Sequence, residues 1–241
     1  MKRWLFAAAG LAALAGCATT DPDPAAQAAK LMAQAKVAAG GARLDRVTTY
    51  HSSGARVRDG KVNGVYEEWG DYRTMAFTNV ETFAGVTSTG GFDGKSGWRL
   101  GADGKALIIS NPQQLAGTKL SGYLDVQGYF FPDRFPARFT YAGVREAEGR
   151  RYDVVVVTPA GGNPIDLWIE PRTHLLRRLT GKLGPGSIQG DITQYQTIDG
   201  LKVMRTALQT MTAPSGVHTE SQDVAVYRFG AIPPERLAIP K

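Results

Sequence analysis

The chain has 241 residues, 43% of which are hydrophobic, and a formal net charge of +6. This length is enough for one domain with a sizeable core. The basic residues are scattered among acidic ones and form no stripe, which argues against a nucleic-acid partner. The single cysteine excludes both a framework of intrachain disulfides and a thiolate metal site.

The first 16 residues have the order of a secretory signal: Lys2 and Arg3, an apolar run over residues 4–13, then small residues. The apolar run is too short to span a bilayer as a stable helix. Its end, Leu-Ala-Gly followed by Cys17, resembles the lipobox of bacterial lipoproteins. The resemblance implies that residues 1–16 are a signal peptide, and that Cys17 becomes the first residue and carries acyl chains such as palmitate.

The position after the cysteine is Ala18 and not aspartate, so the inner-membrane retention signal of enteric bacteria is missing. We therefore expect the mature chain on the outer membrane, facing the periplasm and anchored through Cys17. Several acyl chains make such attachment effectively permanent, since each buried methylene contributes about 0.8 kcal/mol. Residues 17–23 are then the acylated tether, and residues 24–241 form one domain.

A helix is predicted over residues 24–39, because proline suits its first turn and Gly40-Gly41 suits its end. Apolar residues recur at helical spacing along one face. This face comprises Ala28, Leu31, Met32, Ala35 and Val37.

From residue 44 onward, short segments rich in β-branched and aromatic residues alternate with Gly, Asp-Gly and Pro, which is typical of strands joined by turns. Strands are predicted at residues 44–57, 61–69, 73–80, 82–89, 91–100, 106–110, 137–146, 151–158, 164–170, 174–182, 188–198, 201–211 and 217–227. Hairpin turns are predicted at Asp59-Gly60, Gly90-Gly91, Asp103-Gly104 and Asp199-Gly200.

A second helical stretch, residues 113–129, interrupts this series and carries Leu115, Leu120, Leu124 and Val126 on its apolar face. Consecutive strands joined by short turns are antiparallel neighbours. About a dozen of them at regular spacing predict a sheet that curls toward a barrel. The sequence contains no internal repeat and no domain linker.

Several of these segments resemble the superfamily of Lol-type (LolA/LolB-like) lipoprotein carriers and receptors of the outer membrane. Their order and spacing carry the resemblance more than any single motif does. They are residues 43–53, a helix end followed by an aromatic-containing strand; 92–98, with Asp-Gly-Lys and a tryptophan after two more residues; 167–176, a strand, turn and strand; 194–203, a late hairpin; and 227–234, a closing strand with two prolines.

The resemblance implies a mainly β (α+β) fold, a strongly curved, unclosed, barrel-like antiparallel sheet with helices covering the open side. An apolar cavity between helices and sheet holds acyl chains in the carriers and receptors. The chain departs from the true carriers after Trp69. They continue with a basic-Pro-aromatic segment whose arginine helps to hold the lid, whereas this chain has Gly70-Asp71-Tyr72-Arg73. Whether Arg73 takes that role is left open by the sequence.

Aromatic residues on the predicted strands are the candidates for ligand contact. In a half-open barrel they line a cavity, and in a closed sandwich they form the core. The six candidates are Trp69, Phe77, Phe83, Phe92, Trp98 and Trp168. The densest aromatic segment, residues 129–136, contains prolines that argue against a central strand. It either forms a rim that meets a membrane or a partner, or folds back over the core.

Motifs for catalysis and for cofactors are weak. The three histidines lie far apart, without the close spacing of metal ligands. Ser96 lacks the first glycine of a nucleophile elbow. Glu67 and Glu68 are adjacent on a predicted strand, so they point to opposite faces and form a poor catalytic pair. We expect no metal, no cofactor and no nucleic acid.

We therefore expect a monomeric, non-enzymatic lipoprotein that binds an acyl chain, a lipid or a lipidated protein in an apolar cavity. The alternative is an envelope module for protein interaction or sensing, with the same fold and no lipid cargo. A hydrolase is the third possibility. An open apolar cavity favours lipid binding, a filled one favours a protein partner, and a convergent polar cluster favours an enzyme.

The change Cys17→Ser is expected to abolish lipidation, because the thiol that carries the acyl chains is lost. Metabolic labelling with an alkyne fatty acid measures this. A neighbouring Ala18→Ser variant is expected to keep its label and serves as the control. Label retained on the Cys17→Ser protein would contradict the lipobox interpretation.

Overall fold

The computed structural model describes residues 23–183 and 186–241. The predicted signal peptide, the lipobox with Cys17 and all but the last residue of the predicted tether lie outside these ranges. Neither α-helix in the described ranges is long and apolar enough to cross a membrane.

The first helix, α1 (Pro24–Ala39), has the bounds that the sequence predicts. The side chain of Asp23 caps it by accepting a hydrogen bond from the backbone N–H of Ala25 at 3.1 Å. Four of the five residues of the predicted apolar face are buried, but Val37 is 73% exposed, so its assignment to that face was wrong. Val37 lies two residues after buried Ala35, about 200° around the helix axis.

The remaining elements are strands, a second helix and short 3-10 turns. In chain order they are β1 (Thr49–Arg58), β2 (Val62–Asp71), β3 (Phe77–Phe83), β4 (Val86–Phe92), β5 (Gly97–Leu100), β6 (Ala106–Ile108), α2 (Pro112–Asp125), β7 (Ala137–Ala147), β8 (Arg150–Pro159), β9 (Ile165–Ile169), β10 (Leu176–Leu183), β11 (Gly186–Ile198), β12 (Leu201–Ala213) and β13 (Gly216–Phe229). The 3-10 turns are Gly41–Arg46, Gly128–Phe130 and Pro234–Arg236.

All 13 strands belong to one antiparallel sheet, in the order β6-β5-β4-β3-β2-β1-β13-β12-β11-β10-β9-β8-β7. Two meanders, β1 to β6 and β7 to β13, are joined where β1 pairs with β13. The two edge strands, β6 and β7, are not hydrogen-bonded to each other within the described residues, so the sheet does not close into a barrel. The predicted fold class is confirmed.

The sheet has an inner face, which we define as the face that α1 and α2 cover. Tyr50, Gly70, Phe77 and Phe92 lie in register on it across β1 to β4, and Gly122 of α2 faces the Phe77 ring. Residues one position along each strand point to the outer face. The main core lies on the inner face, where the buried side of α1 meets residues of β8 and β9 such as Val155 and Leu167.

The C-terminal residues cross the outer face of β1 to β3. The backbone N–H of Gly230 donates to the carbonyl of Thr49 at 3.2 Å, and the Thr78 hydroxyl donates to the carbonyl of Arg236 at 2.5 Å. The Arg236 guanidinium lies 4.5 Å from the centre of the Trp69 ring. These contacts cover part of the outer face of the sheet.

Three of the predicted hairpin turns are confirmed, and the one at Gly90-Gly91 was wrong. Both glycines lie inside β4, and the chain turns instead at Ala84-Gly85, where both residues have positive φ. Position 91 requires glycine because the backbone of the neighbouring strand leaves no room for a side chain, and not because the chain turns there. A Cβ at this position would lie 2.2 Å from the carbonyl oxygen of Phe77 on β3.

Replacing Gly91→Ala is expected to destabilise the fold, because backbone must move to accommodate the methyl group. Overpacking of this kind costs about 1–3 kcal/mol, which lowers the Tm by roughly 2–4 °C per kcal/mol in a chain of this size. Gly181→Ala on β10 is the matched control, since its Cβ would have no neighbour closer than 3.6 Å. Equal Tm values for the two variants would contradict the register of β3 and β4.

Candidate cavity on the inner face

A cavity of about 250 Å³ lies on the inner face, between the C-terminal end of α2 and the strands β1, β2 and β10 to β13. Its comparatively modest volume exceeds the 150 Å³ or so of an engineered apolar cavity that binds benzene. Because the strand order places β13 between β1 and β12, the cavity runs across the junction of the two meanders.

One end of the cavity is apolar. It is formed by side chains of β10, β11 and β12 together with Leu124 of α2. The strand residues are Leu176, Leu179, Ile188, Ile192, Val203, Met204, Ala207 and Leu208. A surface of this composition favours an apolar ligand, at about 25 cal/mol for each Å² removed from water.

The other end is polar and is formed by β1, β2, α2 and β13. The Tyr50 hydroxyl donates to Oε1 of Glu68 at 2.5 Å, and the Tyr50 ring stacks on that of Tyr227 at 5.5 Å. The Tyr227 hydroxyl lies 3.4 Å from that of Tyr72. Burial raises the pKa of Tyr72 to about 12 and raises that of Tyr50 well above its ordinary value. These phenols therefore stay protonated at neutral pH.

Four charged residues beside this end pair with one another. Arg58 binds Glu81 and Glu220, each at 2.8 Å. Arg56, which lines the cavity, contacts Glu81 and lies 3.5 Å from Glu220. The two cations and two anions pair with one another and form a group with no net charge.

Two further carboxyl groups line the cavity without a cation of their own. Burial raises the pKa of Glu68, against the effects of the Tyr50 hydrogen bond and the Arg56 charge. Burial, followed by the charge of Glu68, raises the pKa of Asp125 well above its ordinary value. The Asp125 side chain makes no hydrogen bond to any residue that the structure describes. Its neighbour Gln127 has a buried Oε1 with no hydrogen-bond partner in the same ranges.

A second, larger hollow of about 630 Å³ lies between α1, the aromatic segment and the start of β7. Tyr129 lines both this hollow and the inner cavity. Its ring packs at 4.6 Å on that of Phe130. Tyr129 is therefore part of the wall between the two spaces.

The aromatic segment folds back over the core, one of the two arrangements that the sequence left open. Tyr129, Phe130, Phe131 and Phe135 are buried in the main core. Arg134 ties the segment to the sheet, because its Nη1 donates to the carbonyl of Tyr72 at 2.7 Å. Its guanidinium also lies 4.8 Å from the centre of the Phe131 ring.

The sequence left open whether Arg73 holds the lid. In the structure Arg73 forms an ion pair with a residue two positions away instead. It binds Asp71 through two contacts of 3.0 and 2.9 Å. Arg134 was missed, although it stands among the aromatic residues that it holds.

The six predicted ligand residues are all buried. Phe77, Phe83 and Phe92 lie on the inner face by register. None of the six lines either space described above. Their contact with a ligand stays a prediction.

The three tryptophans among these six lie on the outer face. Trp69 is enclosed by Arg236 and by His51, whose ring stacks at 5.3 Å. Trp98 is in register with Gly91 on this face. Trp168 packs with Tyr152 and Val154, apart from the main core.

The sequence missed the polar end of the cavity, although one signal was present. Adjacent Glu67 and Glu68 point to opposite faces, as predicted: Glu67 pairs with His51 at 2.9 Å, and Glu68 faces the cavity. Adjacent residues on a strand point to opposite faces, so one of two adjacent glutamates has to point to the inner face of the sheet. Its companion in the fold is Asp125, which is 57 positions away and was not considered.

Comparison with solved structures assigns the fold. A DUF1329 family protein from Desulfovibrio piger is similar over 86% of this chain and 93% of its own, with a TM-score of 0.57 and 14% identity. A LolA superfamily protein from Nitrosomonas europaea is similar over 88% and 97%, with a TM-score of 0.58 and 10% identity.

A domain from Vibrio parahaemolyticus named for outer membrane lipoprotein sorting is similar over 85% of this chain and 93% of its own, with a TM-score of 0.55 and 10% identity. No protein-family model matches the sequence, and no curated protein matches it. The chain has a LolA-like fold, as the resemblance implied.

Asp125→Asn is expected to stabilise the protein at neutral pH. Below the ordinary carboxyl pKa of about 4, Asp125 is protonated in both the folded and the unfolded chain. Above it the unfolded chain ionises first, so the free energy of unfolding falls until the pH reaches the raised pKa of the folded state. The variant has no carboxyl group to ionise at this position, so its free energy of unfolding does not fall in this way.

Thermal unfolding at pH 4 and pH 7.5 measures the effect. We expect the Tm of the variant to exceed that of the wild type by about 2 °C or more at pH 7.5, roughly the effect of 1 kcal/mol, and by less at pH 4. Asp133→Asn removes an exposed carboxylate and serves as the control. A difference that does not grow with pH would contradict the burial of Asp125.

Proposed function

We propose that the chain is a lipoprotein of the bacterial envelope, anchored to the outer membrane through Cys17 and facing the periplasm. It binds an acyl chain, as part of a lipid or of a lipidated protein, in the inner cavity and without covalent chemistry. The signal and lipobox pattern at residues 1–17 supports the anchoring. The LolA-like fold and the solved domain named for lipoprotein sorting support the class of ligand.

The observation that carries this proposal is the apolar end of the cavity. Side chains from three neighbouring strands, among them Leu179, Ile192 and Val203, leave space where a filled core would have placed further side chains. Apolar pockets bind mainly by desolvation. The volume of about 250 Å³ suits a single chain segment and not a folded partner.

A longer chain has a route beyond this cavity. Tyr129 separates it from the hollow beside α1, which is lined by apolar residues including Met32 and Phe139. The Tyr129 ring would have to move for the two spaces to join. The hollow is the larger of the two, so it would hold the rest of a long chain.

The chemistry of the cavity supports binding over catalysis. No histidine, cysteine or lysine of the described chain lines it. Its tyrosines Tyr50 and Tyr227 have raised pKa values because they are buried. A phenol with a raised pKa is a poor nucleophile and a poor source of protons. The polar cluster at this end therefore lacks an activated nucleophile.

The alternative, an interaction or sensing module without lipid cargo, predicts a filled inner face. The open space between α2 and β10 to β12 favours the lipid-binding proposal over it.

Native mass spectrometry of the full chain, purified from its host in a steroid-based detergent that has no alkyl chain, tests the proposal. We expect a bound species of lipid mass. Ala207→Trp fills the apolar end and is expected to remove that species. Ala207→Leu is a milder second variant that is expected to reduce it.

Ala225→Trp is the matched control, because Ala225 is exposed on the next strand beside inward-facing Val224. It is expected to keep the bound lipid. Circular dichroism confirms that each variant is folded. Wild-type protein without any lipid-mass species, or lipid binding that survives in a folded Ala207→Trp variant, would overturn the proposal.

A further inference from the structure

The polar end of the cavity carries an excess of hydrogen-bond acceptors and of carboxyl groups. Arg56, Arg58, Glu81 and Glu220 neutralise one another. Every other charged side chain in the wall of the cavity is a carboxyl group, on Glu68 and on Asp125. A ligand that enters therefore meets two acids with no spare cation beside them.

The acceptors at this end are largely unused. Glu68 accepts one hydrogen bond, from Tyr50 at 2.5 Å. Asp125 accepts none from residues 23–183 and 186–241. The buried Oε1 of Gln127 has no partner in those ranges either. The Gln127 oxygen is buried, and a buried acceptor without a donor costs free energy. This end of the cavity therefore favours a ligand that brings a donor of its own.

The backbone at this point is held in a costly conformation. Gln127 has a φ of +50°, in the left-handed region that residues other than glycine rarely adopt. This conformation follows directly after the last turn of α2, where Val126 is fully buried. A left-handed residue directly after the last turn is a common way for a helix to end, and here it places Gln127 in the wall of the cavity.

One donor at this end also lacks a partner, Nε of Arg56. The guanidinium nevertheless already faces Glu81 and Glu220, and it lies 4.4 Å from the centre of the Tyr66 ring. An anionic head group would have to compete with two carboxylates for Arg56, and it would oppose the ionisation of Glu68 and Asp125. The charges therefore argue against a carboxylate or phosphate as the group that sits deepest.

We infer that the cavity selects an amphiphile with an ammonium group, which sits between Glu68 and Asp125 while its acyl chain lies on the apolar strands β10 to β12. This inference rests on the proposed function, because it names the head group of the ligand bound there. Hydrogen bonds from a cation to a carboxylate are the strong ones, and the cation supplies the charge that lets both acids ionise. The same chemistry is offered by an aminolipid and by an amine of a lipidated peptide.

Binding of three ten-carbon amphiphiles tests the inference: decylamine, decanol and decanoic acid. The full chain is freed of its co-purified lipid by detergent exchange and titrated at pH 7.5 in the same steroid-based detergent, with bound ligand counted by native mass spectrometry. We expect decylamine to bind about tenfold more tightly than decanoic acid, the factor that one charge-assisted hydrogen bond provides.

Glu68→Gln and Asp125→Asn are each expected to remove most of this preference, because the ammonium group then loses one of its two carboxylate partners. Glu67→Gln is the matched control, since Glu67 is the next residue on β2, is exposed on the outer face and pairs with His51. It is expected to keep the preference. Micelle partitioning of each ligand is common to all four proteins and cancels in the comparison.

The outcomes separate the two claims. If none of the three amphiphiles binds, the proposed function fails. If decanol and decanoic acid bind as tightly as decylamine, the proposed function stands and the ammonium inference is overturned. A preference that Glu68→Gln and Asp125→Asn both retain would also overturn it. The mass of the lipid that co-purifies with the wild-type protein distinguishes an aminolipid from a lipidated peptide.

Discussion

The pairing of β1 with β13 is the contact on which the rest of the structure depends. It brings Tyr50 next to Phe229 and Arg58 next to Glu220, and it joins two meanders that are otherwise separate in the strand order. The inner cavity takes its apolar end from the second meander, and its polar end combines β1 and β2 of the first meander with Tyr227 of β13. Without this pairing the two ends would not face a common space.

This arrangement has a kinetic consequence. About two-thirds of the chain, residues 59–215, lies between the two paired strands. Their association therefore closes a long loop, at an entropic cost that grows with the logarithm of its length. Sheets that depend on such distant pairings fold slowly. The local hairpins, by contrast, need only short turns such as Asp59-Gly60 and Asp199-Gly200.

The cavity is retained at a cost to stability. Asp125 and Glu68 have raised pKa values because they are buried, and neither has a cation of its own. Gln127 combines an unfavourable backbone conformation with a buried acceptor that lacks a donor. Features that destabilise a fold and converge on one cavity are better explained by a ligand than by packing.

The sequence predicted local features well and the cavity poorly, for physical reasons. The bounds of α1 follow from its cap and from Gly40, which are local signals. Gly90-Gly91 was misassigned because the closeness of Phe77 on the next strand, which requires a small residue, is not local. Alternation placed Glu67 and Glu68 on opposite faces, but it could not say which of them faces inward.

Which residues from distant parts of the chain meet at the cavity was harder still to predict from the sequence. Asp125 ends a helix whose apolar pattern carries no information about the strand it faces. The tryptophans were taken as ligand candidates because they are aromatic residues on separate predicted strands, yet Trp69, Trp98 and Trp168 lie on the outer face. The apolar end of the cavity consists of ordinary aliphatic residues, which look the same in sequence whether they fill a core or border a space.

Crystallography of the protein soaked with a bromine-terminated alkyl amine tests the central claim most directly, because bromine marks the end of the chain by anomalous scattering. If the cavity binds the amphiphile as proposed, a single strong peak lies among Leu179, Ile192 and Val203, with the amine at Glu68 and Asp125. A peak confined to the outer face, or no ordered bromine at ligand saturation in solution, would contradict it.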